Sequence, residues 1–270
     1  MNKLGLCLAG GGARGAYQIG VAKRLEELCI LSQISAFAGT SIGSVNAVLL
    51  ATRNVDEALT LWKDIDPSEI HTAESLFKRV MSEKIKIIDN GLFSIEALRG
   101  RLWREIDFGQ ARSKEVYVTV SDSGKAEDSF LGLFKSTYRH FVKKDSQAVY
   151  ALLSDHNDED IVDIIMASCS IPIIFPAVTI NNRKYYDGGV YDNVPIEPLV
   201  QAGCDTIIIC SLHLFHFYDL SKYPGVRFIE IRHPHSLGGV LNFDPNHAET
   251  CFRLGYEDAK LYFEKNETDL

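Results

Sequence analysis

Two glycine-bearing turns in the first 43 residues constrain this chain more than anything else in it. "LAGGGARGAYQIG" (8–20) follows the apolar run "KLGLCLA", and "GTSIG" (39–43) closes the run "ISAFAGT". Each turn opens a segment with helical spacing. Tyr17, Val21, Leu25 and Leu28 fall on one helical face, and "SIGSVNAVLLAT" is apolar over several turns. Neighbouring parallel strands need a crossover connection, and a helix is the usual one. Strand, tight turn and helix, repeated twice within 52 residues, therefore predict an α/β chain with a mainly parallel sheet covered by helices.

Later segments fit that plan. Residues 54–110 ("VDEALTLWKDI", "SIEALRGRLWREI") read as a helical excursion, "EVYVTVS" (115–121) as a strand, and "DEDIVDIIMASCS" as a helix with an acidic first turn, ended by Pro172. "DTIIICSL" and "VRFIEIR" are further strands. A last amphipathic helix covers 246–265, with Ala248, Cys251, Gly255, Ala259 and Tyr262 on one stripe. With neither repeats nor a Pro/Gly/Ser linker, 1–270 reads as one domain. At 46% hydrophobic residues the chain can bury a sizeable core, and a net charge of −8 argues against nucleic acid as a partner. The six cysteines lack C-x-x-C or Cys/His metal spacing, which predicts buried free thiols in a reducing compartment. "MNKLGLCLAGGG" lacks the form of a signal peptide, and no run reaches the roughly 18–20 apolar residues of a membrane span. These features predict a cytoplasmic protein.

The chemistry turns on what anion the first glycine turn receives. Gly10, Gly12 and Gly15 have the G-x-G-x-x-G spacing of a dinucleotide turn, but the second strand ends in "AFAGTSIG", without the acidic residue that would hold a ribose. A phosphate loop would need Lys-Ser/Thr after its last glycine, and "ARGAYQ" has none. At the second turn, Gly39, Ser41 and Gly43 form G-x-S-x-G, the pattern that lifts a serine hydroxyl clear at a strand-to-helix bend. Backbone N–H groups at Gly10, Gly11 and Gly12 would then face a charge that exists only while serine attacks a carbonyl. Arg14 would steady this loop or meet an anionic headgroup.

Two kinds of base are open to such a serine. His213, His216, His233 and His235 come late enough for a Ser-Asp-His order, although a serine after only the second strand is early for that fold. Asp187, in "KYYDGGVYDNVPIEPL", is the other; its Asp-Gly also suits a plain hairpin turn, but "DGG…DNVP" holds more special residues than a hairpin needs. A non-catalytic nucleotide-binding module is a third reading of the glycines.

Taken in order, "GGGARG", "GTSIG", "ASCSIPIIFPAV" (167–178) and "DGG" resemble the patatin-like phospholipases over about residues 3–212, in the manner of the compact bacterial members. The resemblance implies a three-layer α/β/α fold and a Ser-Asp dyad without histidine, metal or cofactor. It implies Ser41 as nucleophile, Asp187 as base with Gly188 and Gly189 forming its turn, and the Gly10–Gly15 loop as oxyanion hole. The implied reaction is hydrolysis of a lipid acyl ester through an acyl-serine. Separately, "SFLGLFKSTYRHFVKK" (129–144), with Lys135, Arg139, Lys143 and Lys144, suits either peripheral contact with a membrane or an ordinary amphipathic surface.

Overall fold

β1 (Leu4–Leu8) is buried at all five positions, and its side chains alternate between two cores. Leu4, Leu6 and Leu8 join one cluster, Cys7 and Ala9 the other. A strand covered on both faces carries a continuous apolar run in place of a polar–apolar alternation. The structure is a computed structural model that describes residues 3–65, 96–125, 148–172, 175–215 and 218–266. Residues 66–95 of the helical excursion, the 129–144 segment, His216, and Ile173–Ile174 of the "ASCSIPIIFPAV" run lie outside them.

After β1 come α1 (Ala16–Glu27), β2 (Ile34–Thr40), α2 (Ile42–Thr52), α3 (Val55–Lys63), α4 (Glu96–Glu105), α5 (Phe108–Ser113), β3 (Glu115–Lys125) and β4 (Ala148–Leu152). There follow α6 (Asp158–Ser168), β5 (Val178–Ile180), β6 (Arg183–Asp187), α7 (Glu197–Gln201), β7 (Thr206–Ser211), β8 (Arg227–Arg232) and α8 (Pro245–Lys265). Five strands are parallel, in the order β3-β2-β1-β7-β8; β4 and β6 run antiparallel to β3, and β5 antiparallel to β6. The larger core lies between one face of this sheet and helices α1, α2, α3, α6 and α8. On the opposite face, Leu199 of α7 packs with Ala36, Ala38, Ile207 and Ile209. The sheet is thus flanked by helices on both faces, as the paired turns predict.

Several details differ from the sequence expectations. The strand expected at 115–121 extends to Lys125, and β4 and β5 were not anticipated. The stripe of α8 closes on buried Phe263 rather than Tyr262. Cys29 is exposed, while Cys7, Cys204, Cys210 and Cys251 are buried thiols.

The register of β3 decides where the chemistry lies. Thr119 pairs with both Thr40 and Tyr150, and Val120 with both Val149 and Asp187. A residue has only two edges, so β4 occupies one edge of β3 while β2 and β6 share the other. Those two strands meet end to end, β2 arriving at Thr40 and β6 at Asp187. Two residues separated by 146 positions in sequence, Ser41 and Asp187, are therefore brought to adjacent strand ends.

Candidate active site

Ser41 is the bend between β2 and α2, at φ 55° and ψ −129°, a region that residues with a Cβ seldom enter. The bend is pinned on both sides. Its N–H donates to Ser168 Oγ at 2.9 Å, and that hydroxyl donates to Thr119 O at 2.7 Å. Its carbonyl accepts from the Ser44 N–H at 2.8 Å and from Ser44 Oγ at 2.6 Å. Gly43 permits the approach of α2 to β1, since a Cβ there would stand 2.1 Å from Leu8 O. The strained torsion predicts that Ser41→Gly unfolds at higher denaturant, by about 1 kcal/mol after allowing for the added freedom of the unfolded chain. A midpoint in urea below that of the wild type would contradict the strain.

Asp187 ends β6 and caps the turn Gly188–Val190, its Oδ1 accepting the Gly189 N–H at 2.8 Å. No strand follows this turn directly, so the two-residue hairpin that Asp-Gly suggested does not form. Its N–H donates to Ser170 O at 3.0 Å, and Ser121 Oγ donates to its carbonyl at 2.8 Å. Both Ser41 and Asp187 are nearly sealed, at 7% and 6% exposure. Burial raises the carboxyl pKa from 3.8 to about 6, against the hydrogen bonds from Ser41 and the Gly189 N–H that favour the ionised form. A carboxylate is ordinarily a weak base; here its proton affinity is drawn toward neutrality.

The glycine loop lies alongside. A Cβ on Gly10 would stand 3.2 Å from the Ser41 Cβ. The loop was expected to offer three amides, but the Gly10 N–H already donates to Asn193 O at 3.1 Å. The Gly10 N–H is therefore already satisfied within the protein. Among the described residues, no protein acceptor takes the N–H of Gly11 or Gly12. Gly12 sits at φ +58°, and a Cβ there would lie 2.1 Å from Val240 O. That close approach holds the loop, with the Ala13 N–H donating to the same carbonyl at 2.8 Å.

Asn193 and Ser168 escaped the sequence reading as positioning residues, and His213 was weighed there only as a base. Asn193 grips Gly10 from both directions, since its Nδ2 also donates to Gly10 O at 3.2 Å. His213 Nε2 meets the same carbonyl at 3.0 Å, with burial lowering its pKa more than the Gly10 bond raises it. Ser168 ties the Ser41 backbone to β3 as described. The other glycines serve packing: Gly39 passes Gly43 backbone to backbone, and the Gly15 carbonyl accepts from Asn46 Nδ2 at 2.9 Å. Arg14 turns from the serine toward the β7–β8 side, donating to Gly238 O at 2.8 Å. Of the histidines weighed as bases, His213 and His233 have partners elsewhere, and His216 lies outside the described residues. His213 holds the loop, and His233 Nδ1 pairs with Asp258 at 2.8 Å. The exposed His235 ring lies 5.8 Å from His233. Among the described residues, Ser41 and the Gly189 N–H are what the Asp187 carboxyl meets.

The chain is similar to several known proteins. A family model described as patatin-like phospholipase matches residues 6–200. The probable lipid hydrolase 463L of Invertebrate iridescent virus 6 is 24% identical, covering 97% of this chain and 89% of the viral protein. Lysophospholipase NTE1 of Kluyveromyces lactis is 26% identical over 94% of this chain, which spans 16% of the yeast protein. Among solved structures, VipD from Legionella pneumophila superposes with a TM-score of 0.50 at 12% identity, covering 98% of this chain and 67% of VipD. The type III effector ExoU superposes with the same TM-score at 16% identity, covering 99% of this chain and 54% of ExoU. Both share the fold.

Proposed function

Because the chain belongs to the patatin-like phospholipase family, whose model spans both turns and the Asp187 segment, we propose that it hydrolyses lipid acyl esters with Ser41 as nucleophile and Asp187 as its base. The observation that carries this is the sealed Asp187 carboxyl facing Ser41, with its pKa raised to about 6. As the Ser41 oxygen attacks the ester carbon, its proton passes to Asp187. The carbonyl oxygen gathers charge opposite the Gly11 and Gly12 amides, at the head of α1, whose dipole favours an anion. Asp187 returns the proton to the departing alcohol and then takes one from the water that releases the fatty acid. One carboxyl serves both directions because its proton affinity lies between those of a free carboxylate and an imidazole.

Only the ionised form of Asp187 accepts the proton. Rate should therefore rise with pH through about 6 and level off above it. A kcat/KM profile on a soluble ester checks this. A profile flat through that interval would contradict Asp187 as the base.

A further inference from the structure

A cavity of about 170 Å³ opens on the β7–β8 side of the glycine loop, with β1 between it and the strand that ends at Ser41. One liquid water occupies only about 30 Å³, so there is room for a group with several oxygens. Arg14, His213, Arg232, His233 and His235 line it, with no aspartate or glutamate in the wall among the described residues. In a chain of net charge −8 this concentration of basic groups is a local reversal of sign.

Arg14 is held in place by uncharged acceptors, whereas Arg232 has Glu230 as a partner on one side of its guanidinium. Arg14 donates to Gly238 O at 2.8 Å and to Leu212 O at 3.5 Å, both uncharged acceptors. No carboxylate pairs with Arg14 among the described residues, and burial accordingly lowers its pKa. A half-buried guanidinium without a counter-charge is costly unless an anion arrives. Arg232 donates to Leu214 O and meets Glu230 through Nε at 3.4 Å, which leaves its Nη2 without a protein acceptor among the described residues. Asp258 pairs with His233 at 2.8 Å and accepts from the Tyr17 hydroxyl at 2.8 Å. Leu214 and Phe215, 41% and 70% exposed, add an apolar part to the same lining.

We propose that this cavity is a seat for a phosphate group, with Arg14, Arg232 and His235 as its ligands. A planar guanidinium matches phosphate oxygens in pairs, and two of them with an imidazole suit a phosphomonoester. The phosphate arrives either free, on a small soluble molecule, or on a lipid headgroup whose chains lie over Leu214 and Phe215. The seat is separate from the ester chemistry. It shares Arg14 with the glycine loop, so its occupant touches the segment that carries Gly11 and Gly12.

The test uses Ser41→Ala protein, in which no ester is turned over. Calorimetry follows inorganic phosphate and glycerol 3-phosphate; co-sedimentation follows phosphatidylcholine vesicles containing phosphatidic acid, or phosphatidylglycerol at equal charge. Saturable binding to at least one phosphomonoester is expected, weakened about tenfold or more by Arg232→Gln and measurably by His235→Ala. Binding of the soluble phosphates assigns the seat to a free phosphate; binding of phosphatidic acid vesicles alone assigns it to a headgroup. His235 is an exposed ring, so its variant keeps the fold even if Arg232→Gln does not. Two results would overturn the seat: no saturable binding to any of these probes other than charge-driven retention that is equal on both anionic vesicles, or binding unchanged in both variants. The same two variants in an otherwise wild-type chain should hydrolyse a soluble uncharged ester at the wild-type rate, which keeps this outcome independent of the Ser41–Asp187 reading.

Discussion

Replacing Ser41 with alanine is expected to lower ester turnover by about 10,000-fold or more, the scale on which a nucleophile acts as one unit with its base and oxyanion donors. Alanine carries the same Cβ at φ 55° and the same backbone bonds to Ser168 and Ser44, so stability should change little. What disappears is the hydroxyl oxygen that faces Asp187. Residual activity above that floor would place the nucleophile elsewhere. The assay is initial-rate hydrolysis of a soluble ester, with the urea midpoint measured on the same preparation.

Asp187→Asn carries the second large effect. The amide keeps the size of the carboxyl, and its oxygen can still accept the Gly189 N–H. It cannot take the serine proton, and the expected loss is again about 10,000-fold. Stability should move the opposite way. In the folded state the carboxyl pKa lies at about 6, above its ordinary 3.8. A carboxyl raised on folding gives its full contribution below the lower value, and that contribution is lost as pH rises through the upper one. At about pH 8 the wild type holds a buried charge at a cost near 3 kcal/mol, to order of magnitude, which asparagine avoids. Asp187→Asn should therefore melt at or above the wild-type temperature at that pH, with the advantage vanishing toward about pH 4. A dead and more stable variant marks a group retained for chemistry rather than for folding.

The parallel core was legible because its signals are local. "LGLCLA", "ISAFAGT" and "TIIICS" are continuous apolar runs, and each of the first two feeds a glycine turn. β4, β5 and β6 were less visible. "RKYYD" is exposed at Arg183 and buried only at Tyr186 and Asp187, and β5 is three residues long, so neither shows a clean period. The site divides in the same way. Ser41 was visible because a strand, its bend and its helix are contiguous, and Asp187 because its turn holds residues a hairpin does not need. Which glycine amide stays open could not be read from "GGGARG". Asn193, 183 positions away, takes the first of them, and nothing in "DNVP" announces that partner. Ser168, and the contact that His213 makes, were hidden for the same reason, since each acts on a backbone group more than 100 residues distant in the chain. His213 in "SLHLFHFYDL" invited a catalytic reading; its Nε2 meets the Gly10 carbonyl.

The most direct measurement is the rate and site of labelling by a fluorophosphonate, a probe that needs a serine activated by its base and an oxyanion hole. Peptide mass spectrometry should find the adduct on Ser41, and Asp187→Asn should label at least about 1,000-fold more slowly than the wild type. An adduct on another residue, or Ser41 labelled at the wild-type rate in Asp187→Asn, would contradict a serine activated by Asp187.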